Sequence, residues 1–310
     1  MALKIVQSKE VQDFLSKVCG FDQSGGDQRT KEIMRRLLND LYQMIEDFDI
    51  TPEEFWGAVN ILNDLGRDHE FALLAPGLGF DHYLDLRMDA ADEQSGLAGG
   101  TPRTIEGPLY VAGAPLSEGE ARMDDGTENG EVMWLTGKVC DMTGKPIVGA
   151  IVDVWHANSK GGYSYFDTTQ SAYNLRRRIK TDAEGRYCAR SIVPSGYACP
   201  PEGPTQCVLN LLGRHGHRPA HIHFFIAAPG YRHLTTQINL AEDEYVRDDF
   251  AFATREELIL PSWRIEDPVE AHKRGLDGPF TEVVFDISLV PTNEPERQER
   301  SKRLRALEVA

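Results

Sequence analysis

The chain has 310 residues, of which 41% are hydrophobic, so it can form one large domain or two ordinary domains with a substantial core. Its formal net charge of -16 argues against nucleic acid or an anionic membrane surface as a partner, because binding to phosphates depends on clustered cations. The apolar runs are too short to predict a membrane span. The five cysteines have no CxxC spacing, and the first residues, MALKIVQSKEVQDF, lack an apolar signal run, which predicts a cytoplasmic protein with free thiols.

The first hundred residues have helical periodicity. Apolar residues recur at spacings of three and four along RTKEIMRRLLNDLYQMIEDFDI, namely Ile33, Leu37, Leu41, Met44, Ile45 and Phe48. The following segment, TPEEFWGAVNILNDLG, carries its own signals: Thr51 as N-cap, Glu54 completing a capping box, and Gly66 as the stop. We therefore predict a mostly helical region from residue 1 to residue 100.

Beyond Thr101 the pattern changes to short runs rich in Val, Ile, Thr and aromatic residues, separated by turn formers. These runs are EVMWLTGKVCD, GAIVDVWHA, GRYCARSIV, AHIHFFIAA, HLTTQINL and TEVVFDISLV. No helical patterns alternate regularly with them, which favours an antiparallel sandwich or barrel. The predicted fold class is α+β, with a helical domain (1–100) and a mainly antiparallel β-sandwich domain (101–310) joined near DEQSGLAGGTPRTIEGP. The charged tail from Pro291 is expected to be peripheral or a surface helix.

Two histidines lie one residue apart in the predicted strand GHRPAHIHFFI. Side chains alternate along a strand, so His221 and His223 project from one face while Ile222 and Phe224 pack on the other. Such a pair can hold one metal ion, with zinc as the default candidate, or it can be a pair of hydrogen-bonded histidines in a core or cleft. A zinc site of a familiar barrel type would place a glutamate a few residues later, but the next acidic residue is Glu242.

Two tyrosines lie in irregular, glycine-flanked stretches: Tyr163 in SKGGYSYFD and Tyr197 in VPSGYACPP. A phenol has a pKa of about 10, but a trivalent metal ion can remove its proton, as metals do for bound thiols and water. Phenolate oxygens together with imidazoles favour Fe(III) over Zn(II). The chain has ten tyrosines, so coincidence is the ordinary interpretation of these two positions on their own.

Three longer segments carry a resemblance to a known family. They are LTGKVCDMTGKPIVGAIVDVWHANSKGGYSYFD (135–167), TDAEGRYCARSIVPSGYACP, and GRHGHRPAHIHFFIAAPGYRHLTTQIN. The chain resembles the intradiol ring-cleavage dioxygenases, and the segments LLAPGLGFDHYLD and IEGPLYVAGAP resemble the branch that cleaves catechol. The similarity covers nearly the whole chain.

The resemblance implies one non-haem Fe(III) per chain, bound by Tyr163, Tyr197, His221 and His223, with a hydroxide or water in a fifth position. Two phenolates and one hydroxide balance Fe(III), so the centre would be formally neutral and could lie in a water-poor cavity without a large solvation cost. The implied reaction joins catechol and O2 to give cis,cis-muconate in the beta-ketoadipate pathway of aromatic degradation. Tyr197 is expected to leave the iron and accept a catechol proton, while Tyr163 stays bound.

By the same resemblance, two polar residues flank the metal. Arg218 is expected to stabilise negative charge on the ring or on a peroxide where water is excluded, and Gln237 to donate a hydrogen bond beside it. Without the resemblance, a surface ion pair would be the ordinary interpretation of Arg218 in an acidic chain.

The family pattern also places seven apolar residues around the substrate ring: Leu73, Pro76, Ile105, Pro108, Leu109, Phe250 and Ala251. The implied preference is for unsubstituted catechol, with small alkyl or halogen groups accepted less well, because a methyl-sized change is worth about 1–3 kcal/mol. A hydroxyquinol or substituted-catechol intradiol dioxygenase is the alternative enzyme.

The helical region is implied to form a homodimer interface around an apolar tunnel that can hold a phospholipid. A monomeric helical cap would have the same amphipathic pattern. An alternative from another functional class is a non-catalytic β-sandwich binding module in which the histidine pair holds a structural zinc. That alternative must treat Tyr163 and Tyr197 as coincidence.

Overall fold

The computed structural model describes residues 4–292 and the backbone of residues 307–308. The chain separates into two compact units, which divide between Arg67 and Asp68. In the described residues the first unit is helical, and the second combines helices with two large sheets. The α+β fold class is therefore confirmed. The proposed division of roles at residue 100 stays a prediction, since residues 68–100 group spatially with the sheets.

Within the described residues, five α-helices precede the first strand: α1 (Lys9–Val18), α2 (Gln28–Phe48), α3 (Pro52–Arg67), α4 (Phe71–Gly77) and α5 (Phe80–Gln94). The predicted capping box of α3 is present, because the Glu54 amide donates to Thr51 Oγ1 at 3.2 Å and the Thr51 amide donates to Glu54 Oε2 at 2.9 Å. The helix continues through Gly66 to Arg67, one residue beyond the predicted stop. Helix ends fray, and a single glycine is tolerated in the last turn.

The second unit is built mainly from short strands. They are β1 (Val111–Ala112), β2 (Leu116–Glu118), β3 (Glu120–Arg122), β4 (Val132–Asp141), β5 (Ile151–His156), β6 (Arg176–Lys180), β7 (Arg186–Ile192), β8 (Tyr197–Ala198), β9 (His217–Arg218), β10 (His221–Ala227), β11 (Leu234–Leu240), β12 (Ile259–Leu260), β13 (Trp263–Ile265), β14 (Phe280–Val284), β15 (Ile287–Leu289) and β16 (Leu307–Glu308). Two further helices are α6 (Pro204–Leu211) and α7 (Pro268–Lys273), and a 3₁₀ turn covers Glu256–Leu258. All six predicted runs contain strands, and TEVVFDISLV divides into β14 and β15.

Two six-stranded sheets face each other across the core. One has the order β12-β11-β10-β5-β6-β2, and the other has the order β13-β14-β4-β7-β3, with β15 beside β4. The longest ladders, β4 with β7 and β10 with β5 and β11, are antiparallel, whereas β2, β3 and β12 join in parallel. Side chains from both sheets form one buried cluster, to which β10 contributes Ile222, Phe224 and Ile226. The intervening residues of β10 consequently lie on the face of the sheet that points away from this core.

Helices α4 and α6 are joined by a buried carboxylate. Glu70, which is 7% exposed, accepts a hydrogen bond from the Thr205 amide at 2.9 Å, in the first turn of α6. Thr205 Oγ1 donates in return to the Glu70 carbonyl at 3.3 Å. A carboxylate at a helix N-terminus satisfies free amides and complements the helix dipole. This contact fixes α4, which also forms part of the pocket described below.

Asp85 of α5 is a buried carboxyl near Arg103 and Arg255. Burial raises its pKa to about 6, although both arginines oppose the shift. The folded chain therefore keeps this proton to a higher pH than the unfolded chain does. By linkage, the carboxyl destabilises the fold increasingly as the pH rises from about 4 to about 6, and the full cost persists above that range.

We expect Asp85→Asn to raise the melting temperature at about pH 8 and to change it little at about pH 4, because the amide removes a charge cost on the order of 1–3 kcal/mol. Thermal unfolding at both pH values measures the difference. Asp89→Asn is the control and should instead lower the melting temperature at the higher pH. It removes a carboxylate that pairs with Arg103 at 2.8 Å and Arg255 at 3.0 Å. An Asp85→Asn variant that melts below the wild type at the higher pH would contradict the assignment.

No helix in the described part of the chain is both long and apolar enough to cross a membrane. All five cysteines are free thiols, as their spacing predicts. Of the charged tail, only residues 291–292 and the backbone of β16, which pairs with β1, are described. The predicted surface helix lies outside the described residues.

Candidate metal centre and active site

A row of side chains crosses the outer face of the sheet that contains β10. Strand pairing places Gln237 of β11 opposite His223, and Trp155 of β5 opposite His223 on the other side. His221 and His223 are 1% and 2% exposed, and their ring centroids are 4.8 Å apart with the planes at 85°. The two histidines share one face, as their spacing predicts.

The hydrogen bonds of His221 define which of its nitrogens can bind a ligand. Nδ1 lies 2.6 Å from the Pro219 carbonyl oxygen, which can only accept, so the proton is on Nδ1. The lone pair of Nε2 then faces the Tyr163 hydroxyl at 3.3 Å and Arg218 Nη1 at 3.1 Å. Burial, with the charge of Arg218, lowers the pKa of His221 to about 3. His221 is therefore a neutral imidazole held in the orientation of a metal ligand.

His223 is held by an aromatic stack. Its ring lies against Trp155, with the centroids 4.8 Å apart and the planes at 5°. Burial lowers its pKa well below the ordinary value, and His221 and Arg218 add to this effect. Its Nδ1 atom is buried and has no hydrogen-bond partner among the described residues. A buried, neutral imidazole with an unsatisfied nitrogen is suited to binding a ligand.

Two loops bring the predicted tyrosines to this face. Tyr163 lies in the loop between β5 and β6, whose first turn is closed by the Asn158 side chain. Tyr197 lies on β8, directly opposite Arg218 of β9. The rings of the two tyrosines are 5.7 Å apart and perpendicular. The loops approach closely because Gly161 has no side chain: a Cβ atom there would lie 2.8 Å from the Tyr197 Cβ. Gly161 also has a φ of +82°, which glycine adopts without strain.

The donor set suits a hard, highly charged cation. Burial and the neighbouring Tyr197 phenol raise the pKa of Tyr163 well above the ordinary value, so this phenol needs a strongly positive partner to ionise. No group of three His, Cys, Asp or Glu side chains could share a metal ion in the part of the chain that the structure describes. The common ligand sets of zinc are therefore not present there. Two imidazoles with two phenols match a trivalent cation such as Fe(III).

Arg218 lies beside the histidines in a buried ion pair. Its side chain is 4% exposed, and Nε and Nη2 lie 3.2 and 3.1 Å from the two carboxylate oxygens of Asp249. Nη2 also donates to Gln237 Oε1 at 2.8 Å. Burial alone would lower the pKa of the guanidinium, but Asp249 raises it above its ordinary value, so the pair is ionised. The surface ion pair that composition alone suggests for Arg218 is thus wrong, because the pair is buried.

An apolar cavity of about 170 Å³ adjoins these groups. All seven residues predicted to surround the substrate line it: Leu73, Pro76, Ile105, Pro108, Leu109, Phe250 and Ala251. Tyr197 and Arg218 form part of the same wall, which connects the cavity to the tyrosine and histidine cluster. Four residues that were not predicted from the sequence complete the lining: Gly107, Ala198, Cys199 and Pro200.

Asp249 is the main site residue that was not predicted from the sequence. It is one of 49 acidic residues, and its only distinguishing feature in the sequence is its position immediately before Phe250. The other histidines nearby lie apart from the metal-binding candidates: His215 pairs with Asp248 at 3.0 Å, and His217 stacks on Tyr245 with the centroids 4.5 Å apart.

Comparison with known proteins agrees with this geometry. A family model described as "Dioxygenase" matches residues 105–291, and one described as "Catechol dioxygenase N terminus" matches residues 27–96. A catechol 1,2-dioxygenase of Pseudomonas sp. (strain EST1001) is 60% identical over 301 residues, which cover 97% of this chain and 100% of the relative. The crystal structure of catechol 1,2-dioxygenase from Pseudomonas arvilla C-1 has a TM-score of 0.95 at 59% identity, covering 98% of this chain and 99% of that one.

At lower identity, the chain is also similar to enzymes named for other substrates. A hydroxyquinol 1,2-dioxygenase of Rhizobium sp. (strain MTP-10005) is 34% identical over 271 residues, which cover 85% of this chain and 90% of the relative. The much higher identity to catechol-cleaving enzymes favours the catechol branch. It also excludes the non-catalytic binding module considered above. The chain belongs to the intradiol ring-cleavage dioxygenase family, in its catechol-cleaving branch.

Proposed function

We propose that this chain is a catechol 1,2-dioxygenase, which adds both atoms of O2 to catechol between its hydroxyl-bearing carbons and releases cis,cis-muconate. The proposal rests mainly on one observation. The Tyr163 hydroxyl and His221 Nε2 lie 3.3 Å apart, beside a small apolar cavity. Tyr197 and Arg218 line that cavity, so a planar aromatic ring in it would have its polar edge next to the donor cluster.

The proposed cofactor is one Fe(III) per chain, held by Tyr163, Tyr197, His221 and His223. When bound, Fe(III) would supply the Lewis acidity that favours ionisation of the phenols and of catechol and makes the substrate ring more reactive towards O2. The histidines contribute neutral nitrogens and the tyrosines contribute two negative charges. Together with one hydroxide these charges balance the ion, which limits the solvation cost of a buried site.

The two tyrosines have different surroundings, which supports different roles. Tyr163 is 3% exposed and packs in a cluster with Tyr110, Trp155 and Phe225. Tyr197 is only half-buried and lines the cavity. Catechol must lose two protons to bind as a dianion, so at least one proton needs an acceptor among the side chains of the site. Tyr197 is positioned to take it at Oη, while Tyr163 remains fixed.

Gly161→Ala is expected to lower iron content and activity together, because the added methyl group would meet the Tyr197 Cβ and displace that side chain. Gly144→Ala is the matched control: Gly144 also has a positive φ, +84°, but a Cβ atom there would have nothing within 4 Å. Iron per chain and catechol turnover measure both variants. If the two variants lose iron equally, backbone strain alone explains the loss and the close loop approach does not matter.

Arg218 and Gln237 supply the electrostatic part of the site. Asp249 and Gln237 hold two of the three guanidinium nitrogens, so the orientation of the charge is set before substrate binds. A cation fixed in a buried site stabilises negative charge that develops on the reacting ring without reorganising. Gln237 is fixed in turn, since its Nε2 donates to Asn239 Oδ1 at 2.7 Å.

The visible absorption spectrum of the purified protein, with iron and zinc quantified on the same sample, tests the proposal. We expect a red protein with one iron per chain, whose broad phenolate-to-iron band shifts when catechol is added without oxygen. A colourless, zinc-loaded protein that does not respond to catechol after reconstitution with iron would overturn it.

The proposed substrate preference is for unsubstituted catechol. The cavity is small and apolar, with Arg218 as its charged group, so an additional ring hydroxyl would lie against apolar side chains. We expect kcat/KM to fall from catechol to chlorocatechol and further to hydroxyquinol. A preference for hydroxyquinol would replace this proposal with the alternative enzyme.

The proposal extends to a cytoplasmic homodimer in the beta-ketoadipate pathway, with a phospholipid in an apolar tunnel of the helical region. In support, α2 exposes Ile33, Leu37 and Leu41 by 53%, 48% and 40%, which is unusual for large apolar residues on one helix face. Light scattering tests the dimer, and a mass equal to the 34.7 kDa chain would contradict it. Solvent extraction followed by mass spectrometry tests for the lipid.

A further inference from the structure

A buried arginine lies on the same sheet face as the proposed iron ligands. Arg176 of β6 is paired with Trp155 of β5, and Trp155 is paired with His223 of β10. Residues that are directly opposite in neighbouring strands have side chains on one face, so Arg176 belongs to the row that contains His223. It is 2% exposed, although arginine is rarely buried. Such a position needs an explanation.

The contacts of Arg176 are directed at Tyr163 and the residue after it. Nε donates to Ser164 Oγ at 2.9 Å and Nη2 donates to the Ser164 carbonyl at 3.1 Å. Ser164 Oγ donates onward to the Asn174 carbonyl at 2.7 Å. The guanidinium carbon is 5.8 Å from the centroid of the Tyr163 ring, and Nη1 has no hydrogen-bond partner among the described residues. The arginine therefore clamps the backbone that carries Tyr163 and keeps its charge beside the phenol.

The charge of Arg176 lies next to the proposed phenolate of Tyr163. Burial lowers the pKa of Arg176 to about 10, and the neighbouring Tyr163 and Asp153 oppose this shift. A cation in a water-poor interior acts more strongly on a nearby charge than it would in water. Beside a neutral phenol, Asp153 would be the main group to offset the desolvation cost of this buried charge. A phenolate of Tyr163 would offset that cost as well.

We propose that Arg176 is a positioning residue for Tyr163, which it holds through Ser164 and stabilises as a phenolate ligand of the iron. This inference rests on the proposed function, because it requires Tyr163 to bind the metal as an anion. It assigns a role to a residue that contacts neither the cavity nor, within the described residues, His221 or His223.

The test compares Arg176→Gln and Arg176→Lys with Arg177→Gln. Arg177 is the adjacent residue of the same strand, so it points to the other face, where its Nη2 donates to the Arg122 carbonyl at 2.7 Å. Each variant is prepared as apo protein, checked for folding by circular dichroism, and reconstituted with Fe(III). Affinity for Fe(III) is measured by competition with a chelator, and the phenolate-to-iron band is recorded without substrate.

We expect Arg176→Gln to weaken Fe(III) binding by about tenfold, as expected for losing one buried charge at this distance. Its band should move to longer wavelength, because removing a nearby positive charge raises the energy of the phenolate electrons. Arg176→Lys should restore most of both properties, and Arg177→Gln should match the wild type. If Arg176→Gln and Arg177→Gln both match the wild type, or both change equally, the inference is wrong while the proposed function stands.

Two further outcomes distinguish a failure of this inference from a failure of the proposed function. If the wild type itself shows no visible band with Fe(III), the proposed function fails and the inference fails with it. If Arg176→Gln does not fold, Ser164→Ala takes its place, since it removes the side-chain acceptor that holds Nε and leaves all four proposed ligands intact. A smaller shift in the same direction supports the role, and an unchanged band overturns it.

Discussion

Tyr163→Phe is expected to give a folded chain that binds Fe(III) weakly and cleaves catechol at least about 100-fold more slowly, since even losing a residue that only orients a ligand costs 10–100-fold. The Tyr163 hydroxyl is 3.3 Å from His221 Nε2, and Tyr163 is the more deeply buried of the two tyrosines proposed as ligands. Phenylalanine fills nearly the same volume, so packing in the cluster with Tyr110 and Trp155 should survive. Iron per chain, the visible band and turnover are the measurements.

Tyr187→Phe is the matched control for this experiment. Tyr187 is also buried, and its hydroxyl donates to the Phe285 carbonyl at 2.7 Å in the core between the two sheets. The control loses a phenol and a buried hydrogen bond but no proposed ligand, so it should be less stable with its iron and band intact. If Tyr163→Phe kept one iron per chain with an unshifted band, Tyr163 would not be a ligand.

The elements with a clear local period could be predicted from the sequence. The spacing of apolar residues in α2 and the alternation in β10 each depend on a few neighbouring residues, and the capping box of α3 depends on only Thr51 and Glu54. The one-face placement of His221 and His223 follows from the same alternation. Local patterns therefore predicted both the fold class and the nitrogen half of the candidate site.

The groups that surround the candidate ligands depend on contacts distant in sequence. Asp249 is 31 residues from Arg218, and nothing in its local sequence distinguishes it from other aspartates. The row from Gln237 to Arg176 exists only because four strands pair in a particular register. A sequence pattern predicts which residues share a face of one strand, but the register between strands is a property of the folded sheet.

The tyrosine ligands and the pocket residues were predicted from the resemblance to a known family, because no periodic pattern in the sequence identifies them. The tyrosines lie in irregular loops, and the approach of these loops depends on the absence of a side chain at Gly161. The seven apolar residues predicted for the pocket come from three separate regions of the chain and still line one cavity. Whether those residues bind substrate stays a prediction, which the substrate comparison above tests.

Removing the charge of Arg218 is expected to lower kcat by about 10²–10³-fold with iron content retained, which is the usual effect of losing one preorganised electrostatic group. A single substitution of Arg218 is difficult to interpret because Arg218 is the ion-pair partner of the buried Asp249. A single Arg218→Met change would leave its carboxylate buried and unpaired, and breaking a buried pair in this way typically costs about 3–5 kcal/mol of stability. Lost activity in that variant could then reflect a disturbed fold.

The double variant Arg218→Met/Asp249→Asn resolves this difficulty, because it removes both charges and leaves an uncharged, similarly sized pair. We expect it to fold, to hold one iron per chain, and to lose nearly as much kcat as the single variant, with a smaller change in KM. Arg190→Met controls for loss of an arginine ion pair elsewhere, since Arg190 pairs with Asp124 in a partly buried position on the other sheet. If the double variant recovers wild-type kcat, the charge of Arg218 serves only to satisfy Asp249, and the electrostatic stabilisation of the reacting ring must come from the metal ligands alone.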